Sequence, residues 1–323
     1  MATLVELTVG PDTSDDYASL NAFLTNYGSK DLVAADIYLH VGCKNFQDTT
    51  NITGLTSSWK GDSTRYCKIY GLDPVTSVGE VTTDSYRLQT TAPVPITGNA
   101  GGMVWLFEDI QIHPTSGNTH CLSGSGTMTA SATFRRCLLR AHNAASGGYF
   151  AYTGRSGSPV LTFENFIMTG NANGVIYSPG WDNTLVLRNG LILQTGSNFY
   201  TVNYGNKAGT VLNCYANTGN GSFAAWYQCG SVSRTKDASN DTSASTTALQ
   251  SIPFNTDTFT NVTDGTYDFR LPVGSSLIDA GNDASGYYTQ DLLSNLWGTY
   301  DIGPIDPDPA STHRRNNIFV IGF

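Results

Sequence analysis

Charge is scarce in this chain. Asp, Glu, Lys and Arg make up 13% of its 323 residues, about half the share usual in globular domains. Basic residues are the scarcer kind: 17 Lys and Arg stand against 26 Asp and Glu, a net charge of −9. That balance repels phosphate backbones and anionic lipid surfaces at long range, so neither nucleic acid nor membrane is an expected partner. No apolar run approaches the ~20 residues that span a bilayer. The opening MATLVELTVG lacks the basic start and apolar core of a secretory signal, and a soluble, unexported chain is expected. Six cysteines (Cys43, Cys67, Cys121, Cys137, Cys214, Cys229) form no CxxC pair and have no histidines at zinc-site spacing. They are expected to be small buried residues in a reducing compartment. GxSxG, P-loop and GxGxxG patterns are all missing, so serine-elbow and nucleotide chemistry have no support.

What is abundant is Gly, Ser, Thr and Asn, a mixture that favours short strands and tight turns. The middle third repeats. VWLFEDIQIH (from Val104), ATFRRCLLRAH (from Ala132), LTFENFIMTG (from Leu161), TLVLRNGLILQTG (from Thr184) and TVLNCYANTG (from Thr210) share one shape. Each is an apolar run, a polar pair and a second apolar run. The second polar position aligns Asp109, Arg136, Asn165, Asn189 and Asn213 at spacings of 27, 29, 24 and 24 residues. Second apolar patches near Cys121, Phe150, Ile176, Val202 and Ala225 lie between them. A chain that returns to the same corner at this interval stacks like on like at about 4.8 Å, the spacing of paired strands. The fold class expected is therefore all-β, a right-handed parallel β-helix with a short N-terminal capping helix.

The polar pair has a structural reading within that fold. Asn165, Asn189 and Asn213 are expected to form a hydrogen-bonded ladder at one corner. The preceding column, Glu108, Arg135, Glu164 and Arg188, alternates in sign and reads as a surface ion ladder. The organisation expected is an N-terminal strand and capping helix over 1–34, a β-helix over 35–305 and an assembly tail over 306–323. Ser14 or Asp15 would cap the helix, with Tyr17, Leu20, Phe23, Leu24 and Tyr27 on its apolar face. ADIYLHVG (from Ala35) and RYCKIYGL (from Arg65) read as strands of the first coils. SVSRTKDASNDTSASTT, after Gly230, reads as an exposed loop, and FTNVTDGTYDFRL as a last coil. In the tail, the strand of Ile318, Phe319, Val320, Ile321 and Phe323 would be an aggregation hazard if exposed, so it is expected to pack on this subunit or a partner.

Catalytic candidates are few. Glu108, Asp109, Glu164 and Asp182 are the only carboxylates between Gly101 and Lys236. Glycosidase chemistry needs two carboxyls within about 5–10 Å, and Glu108 and Glu164 stand two coils apart, roughly 10 Å along the axis. Glu108, Asp109 and Glu164 remain the weak candidates, and a stabilising ladder is the simpler account. The C-terminal aspartates (Asp279, Asp283, Asp291, Asp301, Asp306, Asp308) fit no twelve-residue calcium loop. No cofactor is expected, and Ca2+ is the one ion for which these aspartates leave room. His113 and His142 follow equivalent strands and read as ordinary strand-end residues. Tyr149, Phe150, Tyr152, Tyr177, Trp181, Phe199, Tyr200, Tyr204, Trp226 and Tyr227 would make either interior stacks or an exterior contact strip.

Both ends carry a resemblance. DYASLNAFLTNYGSKDLVAADIYLHVGC with RYCKIYGL, and YDFRLPVGSSLIDAGND with DLLSNLWGTYDIGPID, resemble the opening and closing segments of phage-encoded parallel β-helix proteins; the tail beyond Pro304 is longer than that closing pattern. The resemblance implies a protein of the virion exterior, such as a capsid decoration or cement protein or a tail appendage; with the lack of a carboxylate cluster and the assembly-like tail, a non-enzymatic structural protein is expected, foremost a capsid decoration or cement protein. The resemblance also implies a homotrimer that contacts the major capsid protein or other virion proteins after assembly in the host cytoplasm. The alternatives are a tail-spike-like polysaccharide lyase or hydrolase, and a module binding host surface glycan.

Overall fold

In the computed structural model, the described residues are 2–28, 30–53, 58–77, 79–92, 94–95, 102–116, 121–123, 130–141, 151–152, 160–170, 176–177, 184–194, 200–205, 208–219, 224–229, 231–245, 247–263, 266–282, 287, 291–293 and 301–305. Within them the chain is a parallel β-helix. Up the stack, the rungs of its principal face are Thr3–Val9, Ile37–Cys43, Cys67–Gly71, Val104–Glu108, Ser131–Arg135, Val160–Gly170, Thr184–Gln194, Gly209–Leu212 and Val232–Thr235. Neighbours pair in parallel and in register, Phe107 with Phe134, Phe134 with Phe163, Phe163 with Leu187. A second arm follows each corner, through Gln47–Asp48, Arg87–Leu88, Gln111–Ile112 and Leu138–Arg140, the later halves of the two long strands, then Tyr215–Asn217 and Ala238–Ser239. A separate six-stranded sheet stacks Val94–Pro95, Leu122–Ser123, Ala151–Tyr152, Ile176–Tyr177, Val202–Asn203 and Trp226–Tyr227.

Alternation decides which residues enter the core. On the principal face Trp105, Phe107, Ala132, Phe134, Leu161, Phe163, Leu185 and Leu187 point inward and are buried. Like residues then stack: Phe107 and Phe134 lie 4.8 Å apart at 8°, Phe134 and Phe163 5.1 Å apart at 12°. All six cysteines are free and buried, filling gaps in the same core.

The ends differ from the sequence reading in several ways. The stack begins at Thr3 rather than at 35, because Thr3–Val9 pairs residue for residue with Ile37–Cys43. The capping helix, α1, runs Leu20–Asn26 and starts at Ser19, whose hydroxyl accepts from the Ala22 amide at 3.1 Å. Neither Ser14 nor Asp15 caps it; Tyr17 is instead held extended by a bridge to Val9. Leu20, Phe23 and Leu24 close the core from below. The polar stretch after Gly230 is not a loop: Val232–Thr235 pairs in register with Gly209–Leu212. This rung can be polar because it ends the stack. At its core-facing position, opposite Val211, stands Arg234, bonded to Asp237 at 3.1 Å and to the Ser243 carbonyl at 2.8 Å.

The largest departure follows. FTNVTDGTYDFRL adds no coil. Its described backbone pairing is a local antiparallel bridge, Asn261 with Asp268, and the chain returns along the outside of the second arm. There Leu249, Ile252, Phe259, Phe269, Leu271, Leu277, Ile302 and Ile305 form a second core with Leu138, Ile167, Leu191 and Tyr215 of the rungs. This strap reaches the lower rungs, where the Tyr267 amide donates to Glu80, itself paired with Arg140.

Candidate functional site

The corner column dictates the site. Asp109, Arg136, Asn165, Asn189, Asn213 and Lys236 all have φ between 49° and 55°, the left-handed region that Asn and Asp enter most readily among non-glycine residues. From the Val104–Glu108 rung upward, one such residue per coil bends the chain from the principal face to the second arm. Asn189 Nδ2 donates to Asn165 Oδ1 at 2.6 Å, both residues being fully buried. Asn213 does not extend that ladder. Its amide turns to the strap, donating to the Asn282 carbonyl (2.9 Å) and accepting from the Asn282 amide (2.8 Å), and Asn189 Oδ1 is left without a donor. The strap thus takes the bond that a ladder would have used.

The preceding column carries the charges. Arg135 reaches Glu164 Oε2 through Nε (3.0 Å) and Nη2 (2.9 Å), while Arg188 reaches Oε1 at 2.6 Å. Glu108 is paired with Lys68 and with Arg136 (2.7 Å), and Arg135 lies 3.9 Å away. Asp109 receives Arg136 through Nε (2.8 Å) and Nη2 (2.6 Å). Arg188 is also capped by the Tyr287 ring, 3.8 Å from the guanidinium carbon. Burial opposes the charge on Glu108, but the Lys68 hydrogen bond and the Arg136 charge outweigh it and hold the carboxyl below its ordinary range. Burial raises Asp109, with Arg136 pulling the other way.

This arrangement brings Glu108 and Glu164 into one column, with Asp109 beside them in the corner column, and then occupies every one of them. A general acid needs a carboxyl raised towards neutrality, and a nucleophile or base needs an oxygen free to meet substrate. Glu108 is shifted the wrong way, and guanidinium groups hold both oxygens of Glu164 and of Asp109. Sequence reading missed Lys68 and Tyr287, which come from an earlier coil and from the strap. Their contacts follow from long-range packing with no spacing signature.

The other candidates disperse. Among the described residues no three His, Cys, Asp or Glu side chains gather as a metal site. The Asp301 carboxylate accepts from the Asp279 amide at 2.6 Å, which gives that pair a local structural task. Asp283, Asp306, Asp308, Asp182 and His142 lie outside the described residues, as do Ile318, Phe319, Val320, Ile321 and Phe323, where a tail strand was expected. Of the aromatics, Tyr204 and Trp226 are buried, Tyr200 and Tyr227 stack at 3.5 Å and 6°, and Tyr152 and Tyr177 pair in one column of the six-stranded sheet. Tyr149, Phe150, Trp181 and Phe199 fall outside the described residues. No helix is long and apolar enough to cross a membrane among the described residues. No family model, curated protein or solved structure matches the chain.

Proposed function

We propose that this chain is a non-enzymatic structural protein of the exterior of a phage particle, a capsid decoration or cement protein that works as a homotrimer against the major capsid protein. The observation that carries the non-enzymatic part is the complete pairing of Glu108, Asp109 and Glu164 by Lys68, Arg135, Arg136 and Arg188. A β-helix whose repeat carboxylates serve the stack itself is suited to a rigid, extended contact surface. The phage setting rests on the resemblance of the two ends. Quantitative mass spectrometry of purified particles, with light scattering of the isolated protein, tests the reading. A high copy number per particle and a trimer mass are expected. Absence from particles, or cleavage of a host polysaccharide that Glu164→Gln abolishes, would overturn it.

A further inference from the structure

Arg87 is the one described arginine without a carboxylate partner; Arg65, Arg135, Arg136, Arg140, Arg188, Arg234 and Arg270 all have one. Its bonds go to neutral acceptors, Nη1 to the Thr82 carbonyl at 3.1 Å and Nη2 to Gln47 Oε1 at 2.9 Å, while its Nε is buried with no acceptor. In a chain of net charge −9, a half-buried guanidinium left without an anion is unusual, because it is only partly repaid for lost hydration.

The neighbourhood gives it a purpose. Arg87 belongs to the outward column Gln47, Arg87, Gln111 of the second arm, which continues upward as Leu138, Ile167 and Leu191 beneath the strap. At the polar lower end, a cavity of about 280 Å³ is lined by Asn45, Phe46, Gln47, Thr83, Ser85 and Arg87. Gln111 does not compete for it, since its amide is spent on Thr82 and Ser85. Asp84 does not line it, and its carboxylate accepts from the Thr76 hydroxyl at 3.2 Å. The Phe46 ring is braced by Tyr86 at 5.4 Å.

We propose that this cavity binds the carboxylate-bearing face of a single acidic sugar residue of the uronate class. With Nε buried, the carboxylate would meet the second protons of Nη1 and Nη2, an edge of the planar guanidinium that accepts it with two parallel bonds. The exposed Asn45 amide, the Gln47 amide nitrogen and the Thr83 hydroxyl supply mixed donors and acceptors for ring hydroxyls, Phe46 offers an apolar wall, and the buried Ser85, held by Gln111, forms the floor. The volume lies just under the roughly 300–1,000 Å³ of ligand pockets, which suits one sugar residue rather than a chain of them. The proposal is independent of where the protein resides.

Titration of the full chain with glucuronate, glucose and sulfate, followed by amide chemical shifts or calorimetry, tests it. Glucuronate is expected to bind with a dissociation constant on the order of 1 mM, and glucose at least tenfold more weakly. Arg87→Gln should abolish the difference. Should that variant fail to fold, Thr83→Glu, an exposed substitution that places a competing carboxylate beside Arg87, should block glucuronate equally. No glucuronate binding to the wild-type chain, equal binding of glucose, or unchanged binding by folded Arg87→Gln or Thr83→Glu would overturn the proposal. Sulfate binding as tightly as glucuronate would mean a general oxyanion pocket and would overturn the sugar assignment.

Discussion

Single residues in this fold are constrained by the coil directly above or below them. Gly190 shows the limit: a Cβ there would lie 2.2 Å from the Phe166 ring, which the register places against it from the rung below. The ring is buried and has nowhere to retreat. Gly190→Ala should therefore cost about 1–3 kcal/mol, read as a lowered urea midpoint at unchanged slope; a midpoint equal to wild type would show that the ring moves freely. The same one-coil logic explains what the sequence revealed. Asp109, Arg136, Asn165, Asn189 and Asn213 could be aligned because a left-handed corner favours a narrow set of residues, and three of the five are Asn. Lys236 occupies the next corner with φ 55° and escaped notice. A lysine is no signal for that backbone, and the terminal rung around it lacks the apolar run that marks the others.

At the scale of the element, the charged column behaves as one chain of alternating sign. Removing its centre, Glu164→Gln, leaves Arg135 and Arg188 on either side of a neutral amide. The loss expected is about 2–3 kcal/mol, below that of a fully buried pair because Arg135 stays one-third exposed. A double-mutant cycle with Arg188→Gln should return most of it as coupling; additive losses would mean that the pair acts separately. Glu108 adds a pH dependence. Its carboxyl titrates below its ordinary 4.5 in the folded chain, so its contribution is complete above about pH 4.5 and disappears as pH falls through the lower folded value. The melting temperatures of wild type and Glu108→Gln should accordingly differ most at pH 7 and converge in acid. A gap that stays constant down to pH 3 would show that Glu108 is not the linked group. The register of the ladder was legible as Glu108, Arg135, Glu164 and Arg188, since strict register turns sequence spacing into vertical contact, but a surface ladder was expected and its carboxylates, Glu108 and Glu164, are buried. Its outer partners, Lys68 and Tyr287, were not, because neither sits at the repeated position.

For the whole molecule, the decisive feature is the strap, and it was the part the sequence concealed. Phe254, Phe259, Tyr267, Phe269 and Leu271 have the composition of one more coil, and no local pattern distinguishes a strand stacked on the end from a segment laid along the flank. The difference lies in Leu138, Ile167, Leu191 and Tyr215, which face outward on the second arm and need a cover. Phe259 is the keystone of that cover, edge-on to Tyr215 at 5.3 Å and to Phe269 at 5.8 Å. The strap is tied to the rungs by few described backbone bonds, among them Ile252 to Ser239 and Gly303 to Asn213, whereas the rungs are tied to one another along their whole length. It should therefore open before the stack does. Phe259→Ala, costing about 3–5 kcal/mol, should accelerate exchange of the Asn261 and Asp268 amides at least tenfold and leave those of Thr184–Gln194 unchanged. Equal acceleration in both would show that strap and stack form a single cooperative unit, in which the strap is as much a part of the solenoid as any coil.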